Sequence, residues 1–333
     1  MKLFILDVLM IFVSVIAFAN EPSLEQRMDD YTKSVRIQWH TNPLRNPETD
    51  RYFNPWLDQD SYNSSYWMGS ILNMDELYDA EKFKLDSVAF YHAPKVGTEL
   101  QVFSLHLKDD THRFNIGLGF LVDFTFLFYQ GDADQLYGES FLFGSFVQVE
   151  PVIDYIYKDK FRLRVSPVKH ICWHMGGDIL GDSSLYDRSV EEFRDVGFEQ
   201  IHLSAAYRWG WFTFHGGLSS AYTAYSASNV VNVLNLNAGT EFRFPIWGEI
   251  NLLVGLVTGT NFDIINTITR PAAGTGYTVT AASYEWTPIV SVGLGIEIYR
   301  MAVGVKYEMQ RSRQIYAFRK MEHRLGLSAN LFI

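Results

Sequence analysis

The sequence predicts an all-β protein: a single closed antiparallel β-barrel of about twelve strands, within a range of ten to fourteen, that spans a membrane. Three observations predict it. Apolar residues recur at every second position over long segments, short and long links alternate between those segments, and aromatic residues gather near both ends of the segments. The composition agrees, because only 20% of the residues are charged, 16% are aromatic, and 24 glycines outnumber 10 prolines.

The two-residue period is clearest in residues 112–128. Every even position from Phe114 to Phe128 is apolar there, whereas the odd positions include Arg113 and Asp123. Strands of a soluble sandwich run to five or six residues, but these segments reach ten or more, which is the length that a tilted strand needs to cross a bilayer. The polar face would then line the lumen. The same period recurs in residues 141–157, 233–244, 289–298 and 322–333.

The links between the segments alternate in length, as they do in bacterial outer-membrane barrels with short periplasmic turns and long outer loops. The phase of this alternation predicts that the C-terminus is periplasmic, that the first barrel strand begins near Phe83 and that the strand count is even. The predicted short links are 299–300, 245–248, 209–210, 158–159 and 108–111. The predicted long links are 312–320, 259–283, 225–231, 175–195 and 129–138, with a shorter one at 92–98.

Tyrosine and tryptophan mark both ends of the segments, as expected for aromatic girdles at two membrane interfaces. Beside the short links stand Tyr155, Tyr157, Tyr207, Trp209, Trp211, Trp247 and Tyr299. Near the long links stand Tyr129, Trp173, Tyr222, Tyr225, Tyr284 and Trp286.

Three regions divide the chain. Residues 1–19 predict a signal peptide, since Lys2 precedes an apolar run that ends in a small-x-small pattern at Ala17 and Ala19; an uncleaved anchor is the alternative. Residues 20–82 are turn-rich, polar and aromatic, and predict an N-terminal extension, a plug inserted in the lumen, or an added hairpin. Residues 83–333 predict the barrel.

The stretch VKHICWHMGGD, residues 168–178, holds two histidines and the only cysteine of the chain. Continued from the preceding residues, the alternation of inward and outward side chains predicts that Arg162, Arg164, His170 and His174 face the lumen. A bulge at Pro167 would reverse this alternation for the residues that follow it. Alternate residues of a strand lie nearly 7 Å apart, too far for three of them to bind one zinc ion at about 2.0–2.3 Å. We therefore predict no metal site.

The predicted lumen-lining residues carry charges of both signs. Acids and bases at one level would pair across the interior, because an unpaired charge away from water is costly. The candidates are Arg113, Asp123, Glu150, Asp154, Arg162, Arg164, His170, His174, Arg208, Glu241, Arg243, Glu297 and Arg324.

Residues of this region also resemble a known family. Arg162-x-Arg164 with His170-x3-His174 and the following Gly-Asp is similar to the signature of an uncharacterised family of bacterial outer-membrane-type β-barrel proteins, over roughly residues 110–225. The chain has a longer gap between Arg164 and His170 than the family pattern and an additional Gly177. The resemblance implies a fold and no activity.

The function that the sequence favours is a conduit in the outer membrane of a diderm bacterium, porin-like and either open or plugged, for small hydrophilic solutes. The alternatives are a lipid-modifying outer-membrane hydrolase, with His170 or His174 as general base, and a structural barrel without transport. No nucleophile elbow or HExxH motif occurs, so we predict no catalytic residue and no cofactor. A net charge of −10 without clustered lysine or arginine excludes nucleic acid. The expected partners are outer-membrane lipid, solutes in the lumen and the barrel-assembly machinery.

Overall fold

The structure is a computed structural model that describes residues 34–40, 52–73, 88–129, 139–175, 196–224, 230–269, 278–312 and 321–332. The predicted signal peptide lies outside these residues. In the described part of the chain, no helix is both long and apolar enough to cross a membrane. The strands are β1 (Val35–Trp39), β2 (Ser64–Ile71), β3 (Ala89–Leu107), β4 (His112–Tyr129), β5 (Glu139–Tyr157), β6 (Phe161–Met175), β7 (Val196–Trp209), β8 (Phe212–Ala224), β9 (Val230–Trp247), β10 (Ile250–Thr269), β11 (Thr278–Ile298), β12 (Met301–Arg311) and β13 (Met321–Leu331).

Strands β2 to β13 form a closed antiparallel barrel of twelve strands. From β3 to β13 each strand pairs with the next along the chain, and β2 closes the ring because it pairs with β13 on one side and β3 on the other. Closure removes the unpaired sheet edges that a bilayer does not tolerate. The short strand β1 adds to β3 near its end, with Val35 opposite Leu107. The predicted fold class is confirmed.

The alternation of residue types explains the two faces of the wall. On β13, Leu325 and Leu327 are 42% and 55% exposed on the outside, whereas Arg324 and Ser328, which flank them, are 6% and 3% exposed on the inside. Large apolar side chains are exposed in the same way around the whole outer wall. A contiguous apolar surface of this extent is characteristic of a barrel that faces lipid.

The beginning of the barrel differs from the prediction. The closing strand β2 covers 64–71, ahead of the predicted start near Phe83, and the link predicted at 92–98 is part of β3. Gly97 explains the turn-like composition there, since a Cβ at this position would lie 2.6 Å from the carbonyl oxygen of Asn63. The region is a close backbone approach and not a loop. The two differences compensate, so the strand number is unchanged.

The ends of the strands also refine the predicted links. The long link predicted at 259–283 is shorter, because β10 continues to Thr269 opposite Thr278 of β11. The short links are tight turns: Lys158 and Asp159 have φ values of 50° and 51°, and Gly210 and Gly248 have φ values of 59° and 57°. Positive φ at such turns matches the right-handed twist of the flanking strands.

Candidate functional site in the barrel interior

A stretch between β1 and β2 lies inside the barrel. We call residues 52–63 the inner segment. Its large side chains are almost completely buried: Phe53 and Leu57 are 0% exposed, Trp56 is 1% exposed and Tyr62 is 2% exposed. Each of them is surrounded by residues of the barrel strands, and the segment makes hydrogen bonds of its own with Asn63 Nδ2 donating to the carbonyl oxygen of Pro55 at 3.2 Å. The interior is therefore occupied at this level.

Glycines of the wall make room for the inner segment. A Cβ at Gly119 would lie 2.5 Å from the ring of Tyr62, one at Gly255 would lie 2.7 Å from Leu57 Cδ1, and one at Gly293 would lie 2.7 Å from the ring of Trp56. Sequence parity places such glycines in the lumen, where by themselves they suggest free space. In the structure the aromatic and aliphatic side chains of the inner segment fill that space.

Glu241 of β9 binds the inner segment through its main chain. Its Oε1 atom accepts hydrogen bonds from the backbone N–H groups of Trp56 and Leu57, the latter at 3.4 Å. Its Oε2 atom lies 2.8 Å from Arg243 Nη2, and Arg243 Nε donates to Glu297 at 2.7 Å. One buried carboxylate thus joins an ion-pair network of the wall to the turn of the inner segment.

Glu150 of β5 makes the second attachment. The hydroxyl of Tyr62 donates to Glu150 Oε1 at 2.5 Å, and the amide of Gln148 donates to the same hydroxyl at 2.6 Å. The ring nitrogen Nδ1 of His202 lies 3.1 Å from Glu150 Oε2. Since Glu150 is 0% exposed, these contacts replace the water that a carboxylate would otherwise bind.

Cationic side chains complete the attachments. Arg162 donates to the carbonyl oxygen of Phe53 and lies 5.2 Å from the centre of its ring, a cation–π geometry. Lys169 Nζ lies 2.7 Å from Asp60 Oδ2. Lys95 donates to the carbonyl oxygen of Ser61 at 2.9 Å. The inner segment is therefore held by four strands of the wall: β3, β5, β6 and β9.

Arg164 forms the most complete ion-pair cluster of the wall. Its guanidinium binds Glu99 of β3 at 2.5 and 2.9 Å, and Asp154 of β5 at 2.7 and 2.7 Å. Arg164 is 3% exposed, and the two carboxylates are 8% and 6% exposed. Both pairs are bidentate, the geometry in which an arginine–carboxylate pair is strongest.

Most predicted lumen residues do face the interior. In addition to those above, Arg113 lies 3.5 Å from Asp159, Arg208 lies 3.8 Å from the ring centre of Tyr52, and Arg324 lies 5.0 Å from the ring centre of Tyr91. Asp123 is on the same face of β4 as the buried Leu121 and Thr125. The Arg208 and Arg324 contacts are cation–π contacts, whereas acid–base pairs between predicted lumen residues occur at Arg164 with Asp154 and at Arg243 with Glu297.

His170 lies on the opposite face from the one predicted. The register of β6 against β7 shifts between Ser166 and Lys169, so Ser166 and Lys169 both point inward and His170 points outward. There His170 Nδ1 lies 3.3 Å from Glu199 Oε1. The physical reason is Pro167, which cannot donate to the ladder and is accommodated in a bulge. The side chain of His174, another predicted lumen residue, lies outside the described residues.

The phase change at Pro167 predicts a specific labelling pattern. With Cys172 replaced by serine, we expect nitroxide labels at positions 163, 165 and 170 to be relaxed strongly by oxygen, which concentrates in lipid. Labels at 166 and 171 should be shielded from it. The measurement is the accessibility of each label by electron paramagnetic resonance in liposomes. Strong relaxation at 171 with weak relaxation at 170 would contradict the bulge.

Sequence reasoning missed several residues of this site. Glu99, Tyr62 and Asp60 were not candidates, because the register of β3 and the course of the inner segment were unknown. Lys169 carried a signal, since it interrupts the apolar parity just after Pro167. A lysine on an otherwise apolar strand face next to a proline indicates that the face has changed.

The lead-in to the inner segment is fixed at β1. Arg36 donates to both carboxylate oxygens of Asp110 at 3.0 and 3.1 Å, and His40 Nε2 lies 2.7 Å from Ser104 Oγ. Burial, with smaller effects of His106 and Arg113, lowers the pKa of His40. These contacts attach the chain to β3 before it enters the barrel.

Two cavities adjoin the inner segment. The first, of about 70 Å³, lies among the parts of β5 to β12 nearer the long links, and the second, of about 40 Å³, lies closer to the short turns. Both are lined by Asp58 and Asp60 of the inner segment and by Ser219, Asn235 and Asn237 of β8 and β9. In the described part of the chain, no three His, Cys, Asp or Glu side chains form a group that could hold a metal ion.

Comparisons with known proteins do not assign the chain to a family. No protein-family model matches it, and no curated protein matches it. Similar solved structures include the outer membrane phospholipase A of Escherichia coli, at 9% identity over 87% of this chain and 96% of that one, with a TM-score of 0.47. LpxR from Salmonella typhimurium has 9% identity over 81% of this chain and 100% of that one, with a TM-score of 0.37. A Rhodopseudomonas blastica porin has 10% identity over 81% of this chain and 99% of that one, with a TM-score of 0.24.

Proposed function

We propose that this protein is an outer-membrane conduit for small hydrophilic solutes, with a periplasmic C-terminus, and that the inner segment closes it in the state described here. The observation that carries the proposal is the position of the inner segment between two polar cavities that share five lining residues. The wall of the two cavities includes glycine, serine and asparagine beside apolar residues such as Val257, and displacement of the segment would uncover a path along this wall.

The way in which the inner segment is held supports a closure that opens. It is attached by side-chain hydrogen bonds and ion pairs, such as Glu241 to the N–H groups of Trp56 and Leu57, and not by a ladder of strand hydrogen bonds. Each such hydrogen bond stabilises the bound position of the segment by about 1–3 kcal/mol when one partner is charged. Movement of the segment requires the loss of these side-chain contacts and of the burial of its large side chains, while the strand pairing of the barrel is unchanged.

Substitution of Glu241 tests the proposal. Glu241→Gln keeps the shape of the side chain and removes the charge that binds the two N–H groups, so we expect more frequent openings of purified protein in a planar bilayer than the wild type shows. The matched control is Glu297→Gln, which removes a carboxylate from the same Arg243 without touching the inner segment. The control should conduct no more than the wild type.

A second variant is needed because the loss of one charge in Glu241→Gln can be insufficient to release the inner segment. The double substitution Trp56→Ala with Leu57→Ala empties the recesses at Gly293 and Gly255 and should produce large, long-lived openings. Absence of conductance in both variants, with the barrel still folded, would exclude a conduit that opens by movement of the inner segment. Equal conductance of Glu297→Gln and Glu241→Gln would exclude the inner segment as the closure.

One observation supports the hydrolase alternative. The outward His170 and its partner Glu199 form a histidine–carboxylate pair on the lipid-facing side, an arrangement in which a carboxylate orients a general base. Release of fatty acids from phospholipid in mixed micelles is the measurement. Activity of the wild type that His170→Ala and Glu199→Gln both abolish would support the hydrolase; equal activity of wild type and His170→Ala would exclude this pair.

A further inference from the structure

The first cavity, of about 70 Å³, has walls that suit an uncharged polar solute. Half of its lining residues are uncharged and polar, and several form one network of side-chain amides. Gln200 Nε2 donates to Asn232 Oδ1 at 2.9 Å, and Asn235 Nδ2 donates to Asn261 Oδ1 at 2.6 Å. Amides offer both donors and acceptors, so they can bind hydroxyl groups in either direction. Such walls match a polyol better than an ion or an apolar molecule.

Fixed charges along the two cavities oppose ions of both signs. Asp58 and Asp60 stand where the cavities meet, and Arg162 and Arg164 line the cavity closer to the short turns. Asp60 is paired with Lys169, and Arg164 is paired with Glu99 and Asp154, so these groups replace little of the water that an ion of either sign would lose on entry. A neutral solute does not carry this cost.

The cavities also limit the size of a solute. A buried water molecule needs about 10–15 Å³ measured in this way, so the cavity of about 70 Å³ holds about five water molecules and the cavity of about 40 Å³ holds about three. Glycerol, with six non-hydrogen atoms, is near the first of these sizes, whereas a hexose has twice as many atoms and exceeds both. This limit applies while the inner segment is in place.

We propose that the closed barrel, which blocks ions, still passes uncharged polar solutes of about the size of glycerol along the wall of β7, β8 and β9. The inference rests on the conduit function proposed above and names its substrate class. It concerns the state in which the inner segment remains bound, so it does not depend on the displacement of that segment.

The test is the permeability of wild-type proteoliposomes, measured by stopped-flow light scattering. Glycerol should enter several-fold faster than it enters protein-free liposomes of the same lipid, whereas glucose and potassium chloride should enter no faster than the protein-free rate. Asn237→Phe adds a ring where the two cavities meet and should return the glycerol rate to the protein-free value. The matched control is Leu236→Phe, which places the same ring on the adjacent lipid-facing position, where Leu236 is 41% exposed.

Three outcomes would overturn the inference: glycerol entry at the protein-free rate, glycerol entry that Asn237→Phe leaves unchanged, or salt entry as fast as glycerol. If Asn237→Phe fails to fold, as judged by heat-dependent migration in gels, Asn235→Phe takes its place at the same junction. If glycerol does not enter but Glu241→Gln opens in the planar bilayer, the conduit function is retained and only the proposed substrate class is excluded. If glycerol enters but neither variant opens in the planar bilayer, the solute path is supported and the proposed movement of the inner segment is excluded.

Discussion

Replacing Arg164 by alanine is expected to lower the free energy of unfolding by about 3–5 kcal/mol, because two buried carboxylates then lose the cation that both bind. Glu99 and Asp154 each make two hydrogen bonds of 2.5 to 2.9 Å to this guanidinium. Denaturant unfolding of the barrel in lipid vesicles, followed by heat-dependent gel migration, measures the change.

Two further variants separate this effect from a general loss of charge. Arg36→Ala breaks the ion pair between Arg36 and Asp110, whose side chains are 59% and 56% exposed, respectively. It should lower the free energy of unfolding by about 1 kcal/mol or less. The triple variant Arg164→Met, Glu99→Gln and Asp154→Asn removes all three charges and should recover most of the stability that Arg164→Ala loses. A cost for Arg164→Ala as small as that for Arg36→Ala would contradict the role of the cluster.

Replacing Trp67 by alanine is expected to destabilise the barrel by about 3–5 kcal/mol at the strand that closes it. Trp67 is 6% exposed on the inner face of β2 and lies at 5.4 Å from the ring of Tyr91 in an edge-to-face contact. Lys306 Nζ is 4.6 Å from its ring centre, which adds a cation–π contact from β12. The same unfolding measurement applies.

The neighbouring Met68 provides the control for Trp67. It is 48% exposed on the outer face of the same strand, so Met68→Ala changes contacts with lipid and leaves no internal cavity. We expect the cost of Met68→Ala to be much smaller than that of Trp67→Ala. Equal costs would indicate that β2 is held by its backbone ladder alone and that the interior contacts add nothing.

The sequence by itself predicted the barrel, its strand number and the inward position of most charged residues. The period of two is a local property, since successive side chains of any strand point to opposite faces, and a lipid-facing strand has to be apolar on one of them. Glu150, Glu241, Arg243 and Glu297 could therefore be assigned to the interior without knowledge of their neighbours. Their burial at 4% exposure or less agrees.

The tertiary structure decided what the period does not encode. Where a strand gains or loses a residue against its neighbour, as at Pro167, every later side chain changes face. As a result, the side chain of His170 points outward and that of Lys169 points inward. The identity of the closing strand depended on the pairing of β2 with β13, residues more than 250 positions apart in the chain. The path of the inner segment through the lumen depended on contacts with β3, β5, β6 and β9 together, and a segment without periodicity carries no local signal of where it lies.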